Sequence, residues 1–146
     1  AFTNARVGRG LALGDYDNDG DLDLLVSNNG QLGELMRNDG GSHNNWLAFR
    51  LIGVASNREG GGARIKLTAG ETTQFDQVKG GMSYLSASDP RIYFGLGRMK
   101  QAEKVEIHWP SGKTDVFKDV QANQILSIQE RNGVIPSNFP QFKRKQ

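Results

Sequence analysis

Short runs of alternating apolar and polar residues dominate the chain after about residue 45. In residues 46–52, Leu47, Phe49 and Leu51 share one face of an extended strand, and the residues between them share the other. Comparable short runs follow at residues 63–68, 72–78, 83–85, 92–94, 104–109, 114–117 and 124–128. Eight short strands separated by Gly, Pro and Ser are typical of a β-sandwich or barrel. We therefore predict an all-β protein with an antiparallel β-sandwich of about eight strands in residues 44–130.

The segment 104–109 illustrates how the faces are assigned. Val105, Ile107 and Trp109 alternate with Glu106 and His108, which predicts a core face and a solvent face. The Pro-Ser-Gly sequence at residues 110–112 then predicts a tight turn. No segment has a convincing helical pattern, and residues 99–104 could form at most a turn or two.

The first forty residues have a different pattern of apolar and polar residues. Short apolar runs at residues 10–13, 22–26 and 34–37 predict three strands. A propeller blade normally has four strands in a ring of four to eight blades, so this stretch is interpreted as the end of a propeller. The polar, glycine-rich residues 38–45 mark a boundary. The predicted organisation is a partial repeat in residues 1–43, the sandwich in 44–130 and a C-terminal tail in 131–146.

Between the first two of these strands, residues 15–23 carry a carboxylate at every second position. Such neighbours repel by roughly 1 to 4 kcal/mol per pair, and a divalent cation reverses the sign of that interaction. Ca²⁺ takes six to eight oxygen ligands in flexible geometry, whereas Mg²⁺ prefers a small octahedron. We predict a calcium site with Asp15, Asp17, Asp19 and Asp23 as side-chain ligands and Asp21 giving its backbone carbonyl.

The loop is not an EF-hand, although both place Gly at the sixth position. An EF-hand needs a glutamate six residues after that glycine and helices on both sides. Here that position is Val26, and the flanking segments are predicted strands. A calcium loop inside a β-hairpin is therefore expected. The alternative is a solvated acidic turn, because Asp, Asn and Gly are ordinary turn residues.

Composition and charge narrow the class of protein. The chain has 146 residues, enough for one ordinary domain or a small domain with an appendage, and no cysteine, which excludes disulfides and thiol chemistry. No apolar run is long enough to span a membrane, and no signal peptide is expected in this stretch. Residues 1–40 hold three basic and seven acidic side chains, a net charge of −4, and the remainder carries +6. The basic residues are scattered along the sequence, which argues against nucleic-acid binding.

No catalytic arrangement stands out, and we expect no enzyme activity. A glycosidase pair needs one carboxyl group with a raised pKa in an apolar setting, which a loop saturated with aspartates does not offer. Ser83 and Ser111 lack the G-x-S-x-G elbow, and the glycines at 60–62 lack the lysine of a phosphate loop. His108 and His43 are interpreted as ordinary polar residues.

Two sets of motifs resemble known families. The Asp-x-Asp-x-Asp-Gly-x-x-Asp loop between strands resembles FG-GAP, or VCBS, repeats of integrin-like propellers. The later motifs resemble the ASPIC/UnbV domain that follows such propellers in the cartilage acidic protein 1-like family. These motifs are Asn-Trp-Leu at 45–47, Gly-Ala-Arg-Ile at 62–65, Ser-Tyr-Leu-Ser at 83–86, Phe-Gly-Leu-Gly at 94–97 and Trp-Pro-Ser-Gly at 109–112. The glycine at position 61 departs from the bulkier apolar residue expected there.

The resemblance implies a secreted, extracellular or periplasmic calcium-binding module with a structural or adhesion role, preceded by further propeller blades. Its expected partner is an extracellular protein or glycan. Two alternatives stay open: a carbohydrate-binding sandwich, and an accessory domain of a secreted enzyme. Exposed aromatic rings would favour sugar recognition, and the candidates are Trp46, Tyr84 and Tyr93. Core packing is the competing interpretation of these three rings.

Overall fold

The computed structural model describes residues 5–40, 43–81 and 83–137. These residues form eleven strands, and no helix among them is long and apolar enough to cross a membrane. The chain divides into two compact units. Among the described residues, the first unit contains those before His43 together with those from Gly80 to Asp89, and the second contains those from His43 to Lys79 and from Pro90 onward.

The first unit is built on a three-stranded antiparallel sheet in the order β1-β2-β3. Its strands are β1 (Gly8–Gly14), β2 (Asp23–Asn28) and β3 (Glu34–Met36). Gly14 pairs with Asp23 at the end of the β1–β2 ladder, so residues 15–22 form the connecting loop. The three predicted strands and the position of the acidic loop inside a β-hairpin are thus confirmed.

Gly80–Asp89 runs along the free edge of β1. The backbone N–H of Asp89 donates to the carbonyl of Leu13 at 2.8 Å, and the N–H of Leu13 donates to Ser88 Oγ at 3.1 Å. Gly10 provides the space for this approach, because a Cβ there would lie 2.1 Å from Ser86 Oγ. The segment therefore satisfies backbone groups that an edge strand otherwise leaves open.

The strand predicted at residues 83–85 is wrong. Ser83 and Ser86 form an isolated antiparallel bridge, and the chain turns between them. Leu85 has a φ of +46° and is 88% exposed, so its side chain does not belong to an alternating buried face. Tyr84 and Leu85 are both exposed, so the apolar residues of Ser-Tyr-Leu-Ser do not pack on a core.

The second unit consists of two four-stranded sheets, in the orders β11-β10-β4-β7 and β6-β5-β8-β9. The strands of the first sheet are β4 (Asn45–Ile52), β7 (Ile92–Gly97), β10 (Gln124–Gln129) and β11 (Gly133–Ile135). Those of the second sheet are β5 (Arg64–Ala69), β6 (Thr72–Gln77), β8 (Gln101–His108) and β9 (Thr114–Gln121). Seven of the eight strands predicted from the alternation are present, and β11 was not anticipated.

One hydrophobic core contains buried residues from both sheets, as a β-sandwich requires. Leu47, Phe49 and Leu51 are at most 3% exposed, as are Val105 and Ile107, so the predicted face assignments are confirmed. Trp109 is also buried, and its indole N–H donates to Asp115 Oδ2 at 2.8 Å. The turn predicted after Trp109 is closed by the N–H of Gly112, which donates to the Trp109 carbonyl at 2.9 Å.

The pairing of β4 with β10 is parallel, in contrast to every other pair of neighbouring strands in the described ladders. Leu47 lies opposite Gln124 and Ile52 lies opposite Gln129. The sheet continues beyond residue 130, because β11 pairs antiparallel with β10. The sequence predicted an antiparallel sandwich, and this central parallel pair is the exception to it.

Candidate metal centre

The acidic loop connects β1 to β2 and turns through residues with positive φ. Gly20, the sixth residue of the loop, has a φ of +96°, and Asn18 has a φ of +57°. Glycine adopts such angles without steric cost, and asparagine tolerates the left-handed region better than most residues. Gly20 therefore turns the backbone, and the N–H groups of Asp19 and Gly20 both donate to the Asp15 carboxylate.

Asp15 is the first residue of the loop, and it is only 1% exposed. Its Oδ1 accepts a hydrogen bond from the backbone N–H of Asp19, and its Oδ2 accepts one from Gly20, both at 3.0 Å. Asp15 thus organises the backbone of the loop through these two hydrogen bonds.

Asp23, the first residue of β2, contacts both the start of the loop and the segment that follows β3. Its Oδ2 accepts a hydrogen bond from the N–H of Tyr16 at 3.1 Å, and its Oδ1 accepts one from Asn38 at 2.8 Å. Asp23 is 2% exposed and Asp21 is 6% exposed, so both lie within the folded part of the loop. A carboxylate oxygen has two lone-pair sites, and these hydrogen bonds leave Asp23 with further acceptor capacity.

Three of the predicted ligands converge. One carboxylate oxygen each from Asp15, Asp17 and Asp19 lies within 4.8 Å of the others. Burial raises the pKa of Asp17, and the neighbouring charges of Asp19 and Asp23 raise it further. This is the electrostatic signature of like charges held close together, and a divalent cation between them would remove the repulsion.

Asp17 provides the most direct indication that the loop accommodates a cation. Its Oδ1 is buried and has no hydrogen-bond partner within residues 5–40, 43–81 and 83–137. An anionic oxygen that is neither hydrated nor hydrogen-bonded is costly unless it coordinates a metal. Together with the hard oxygen donors of Asp15 and Asp19, this atom fits Ca²⁺. The roles predicted for Asp21 as a carbonyl ligand and for Asp23 as a side-chain ligand stay predictions.

The three aromatic rings considered for sugar recognition do not belong to one unit. Tyr84 is in the first unit and is 68% exposed. Trp46 and Tyr93 are half-buried in the second unit, on the same face of neighbouring strands β4 and β7. The guanidinium of Arg91 lies 5.4 Å from the centroid of the Tyr93 ring, so a cation of the same chain already occupies that part of its surface.

A second polar centre, which the sequence did not reveal, is formed by Glu130. The residue directly follows β10 and is completely buried. Its Oε2 accepts hydrogen bonds from three successive backbone N–H groups, those of Val54, Ala55 and Ser56, each at 2.8 Å. Its Oε1 accepts the hydroxyl groups of Ser56 and Ser111. Glu130 therefore fixes the loop after β4 and the turn after β8 to the end of β10.

The ionisation of Glu130 is coupled to folding. Burial by itself would raise its pKa, but the hydrogen bonds from Ser111 and from the amides of residues 54–56 outweigh burial and lower the pKa to about 2, from an ordinary value of 4.5. Because the folded-state pKa is the lower one, this carboxylate stabilises the fold above pH 4.5, and its contribution is lost as the pH falls toward 2.

This coupling leads to an expected pH dependence. The difference in the free energy of unfolding between the wild type and Glu130→Gln should be constant above about pH 5 and should shrink between pH 4.5 and 2. Chemical denaturation of both proteins at a series of pH values measures it. A difference that stays constant across that window would contradict the assignment of the low pKa to Glu130.

Comparisons with known proteins agree with this organisation. The sequence profile of the family described as ASPIC and UnbV matches residues 53–135. The chain is 32% identical over 145 residues to cartilage acidic protein 1 of Mus musculus, which covers 94% of this chain and 21% of that protein. It is 33% identical over 130 residues to the Homo sapiens protein of the same name, covering 84% and 19%. The chain thus spans about a fifth of the length of these relatives.

Proposed function

The chain belongs to the ASPIC and UnbV family, and we propose that it is a calcium-binding, non-catalytic module in which the residue 15–23 loop is a structural metal site. The observation that carries this proposal is the unpartnered, buried Oδ1 of Asp17 beside the carboxylates of Asp15 and Asp19. In an acidic turn exposed to solvent, water would hydrate each carboxylate oxygen. Here Asp17 Oδ1 is buried and accepts no hydrogen bond from the described residues.

Calcium would be held by the side chains of Asp15, Asp17 and Asp19, with further oxygens from Asp21 and Asp23. It would supply positive charge where the loop concentrates negative charge. The residues themselves position the site. Asp15 orients the amides of the turn, and Asp23, at the start of β2, holds Tyr16 at the start of the loop and Asn38 after β3. Binding would add a stabilisation of RT ln(1 + [Ca²⁺]/Kd). The role is therefore to fix the hairpin, not to sense a signal.

An extracellular or periplasmic setting is proposed for the module. The loop lacks the bidentate glutamate of high-affinity EF-hands, which favours the weaker affinity class, with Kd of about 10⁻⁴ to 10⁻³ M, found in extracellular modules. The relatives are named for cartilage, which is consistent with this setting. We further propose that the first unit is the end of an FG-GAP or VCBS propeller whose other blades belong to the same protein, and that the module serves adhesion or interaction.

The competing class of function is an enzyme. Catalysis by the acidic loop is disfavoured because its carboxylates are arranged around a common point, whereas a glycosidase holds two carboxyl groups on opposite sides of a sugar bond. His108 is exposed and its Nδ1 lies 3.0 Å from Thr114 Oγ1, an interaction that needs no catalytic explanation.

Isothermal titration calorimetry of the chain with CaCl₂ and with MgCl₂ tests the proposal. We expect one calcium site per chain and at least about tenfold weaker binding of Mg²⁺, because an irregular cluster of protein oxygens does not provide the small octahedron and retained waters that Mg²⁺ prefers. A sample of Asp39→Asn, which removes an exposed acidic residue of the same unit outside the loop, is the matched control. Equal affinity for both ions, or no calcium heat at millimolar concentrations, would refute the structural calcium site.

A further inference from the structure

The register of the sheet β6-β5-β8-β9 places side chains from four strands on one solvent face. Lys66 of β5 lies opposite Phe75 on one side and Glu106 on the other. Arg64, two positions before Lys66 on β5, lies opposite His108 of β8. The intervening residues Ile65 and Ile107 are buried, so the residues on either side of them point away from the core. We call this surface the cationic face.

Positive charge predominates on the cationic face. Its cations are Arg64, Lys66, Lys104 and Lys118, and Lys104 lies directly opposite Lys118. Glu106 is the carboxylate among them, and it is shared by two lysines, with Lys104 Nζ at 2.9 Å and Lys66 Nζ at 3.8 Å. Arg64 and Lys118 form no ion pair with the described part of the chain. Uncompensated cations on neighbouring strands create a positive local potential.

An open groove of about 710 Å³ lies at the β6 side of this face. Arg64, Lys66 and His108 line it, and so does Phe75, whose side chain is 71% exposed. The ammonium of Lys66 lies 5.7 Å from the centroid of the Phe75 ring, which is within the range of a cation–π contact. An exposed aromatic ring beside a cation in a groove is not explained by packing.

We propose that the cationic face binds an anionic polysaccharide, a sugar chain that bears carboxylate or sulfate groups. Arg64 and Lys66 would contact the anionic groups, because guanidinium and ammonium groups form charge-assisted hydrogen bonds with them. Phe75 would provide an apolar platform for a sugar ring. Gln77, which also lines the groove, and Glu106, which lies opposite Lys66 on β8, would accept hydrogen bonds from sugar hydroxyl groups.

The same side chains fit other polyanions less well. Single-stranded nucleic acids are held by several stacking aromatic residues, and the groove offers one exposed ring, Phe75. Neither nucleic acids nor acidic peptides present the dense hydroxyl donors that would use the Glu106 carboxylate. A hydroxyl-rich anion therefore matches the combination of cations, acceptors and one aromatic ring.

Fluorescence titrations of the chain at about 150 mM salt, where long-range charge effects are screened, test the proposal. The probes are a labelled sulfated heparin oligosaccharide, a carboxylated hyaluronan oligosaccharide and a neutral dextran. We expect binding of at least one anionic sugar and none of dextran. Binding of hyaluronan assigns the carboxylate as the recognised group, and binding of heparin alone assigns the sulfate.

Variants locate the site. Arg64→Gln/Lys66→Gln and Phe75→Ala should each weaken binding of the anionic sugar by about tenfold or more, as truncation of an interface anchor does. The matched control is Arg98→Gln/Lys100→Gln, which removes the same charges from the exposed turn before β8. Thermal melting verifies that all three variants are folded.

Three results would overturn the proposal. One is the absence of binding to both anionic sugars. Another is an equal loss in the test and control double variants, which would indicate attraction to net charge alone. The last is tighter binding of a single-stranded DNA oligonucleotide or a polyglutamate peptide than of either sugar, which would assign the cationic face to a different class of partner.

Discussion

Replacing Glu130 with alanine should lower the free energy of unfolding by about 3 kcal/mol or more. The substitution removes the common acceptor of three backbone N–H groups and two hydroxyl groups. Each buried donor left without a partner costs about 1 to 3 kcal/mol. Val54 and Ala55 are exposed, so water can reach part of this loop, and the lower end of that range applies to their amides.

Thermal and chemical denaturation of the wild type and Glu130→Ala measure this effect, and a melting temperature lower by more than about 10 °C is expected. Glu71→Ala is the control, because this exposed glutamate lies in the turn between β5 and β6. It should change stability by no more than about 0.5 kcal/mol. Similar stabilities of the two variants would show that the hydrogen bonds to Glu130 are not needed for the fold.

Substitution of Asp17 with asparagine should separate calcium binding from the stability of the metal-free protein. Without calcium, we expect stability to be unchanged or raised by up to about 1 kcal/mol, because one of several repelling charges is removed. With calcium, the variant should lose the stabilisation that the wild type gains. At about 10 mM Ca²⁺ and a Kd of 10⁻⁴ to 10⁻³ M, that gain is about 1.4 to 2.7 kcal/mol.

Melting curves of Asp17→Asn with calcium and with chelator provide the measurement. Asp39→Asn again serves as the control, since it removes a charge from the same unit and should keep the full calcium response. If Asp17→Asn retained the wild-type calcium shift, the buried oxygen of Asp17 would have no role in binding. If it were strongly destabilised in chelator, the carboxylate would have a structural partner and the unsatisfied oxygen would not be explained by a metal.

The alternation of apolar residues was sufficient to locate most of the fold. Leu47, Phe49 and Leu51 of β4 and Val105 and Ile107 of β8 occupy alternate positions, and because successive side chains of a strand point to opposite faces, their burial follows from sequence alone. Ala48, on the other face of β4, is buried as well, which the alternation does not predict. The same principle failed at residues 83–85. There Leu85 has a positive φ and an exposed side chain, so it does not pack on the core.

The clustering of positive charge on the cationic face was not predictable from the sequence. Arg64 and Lys66 lie on β5, Lys104 on β8 and Lys118 on β9, and in the sequence these basic residues were interpreted as scattered. Pairing of β5 with β8 and of β8 with β9 brings them onto one face. Strand register, which is set by the whole core, therefore decides which distant side chains become neighbours.

The acidic loop was predictable from local sequence, because its candidate ligands, its glycine turn and its flanking strands all lie within about twenty residues. Only the tertiary structure decided the role of each oxygen there, as the burial of Asp17 Oδ1 and the Asn38 hydrogen bond to Asp23 require the folded sheet. Glu130 and the parallel pairing of β4 with β10 likewise depend on contacts more than seventy residues apart. Periodicity and motif spacing are local properties, whereas burial and long-range register arise from packing of the complete chain.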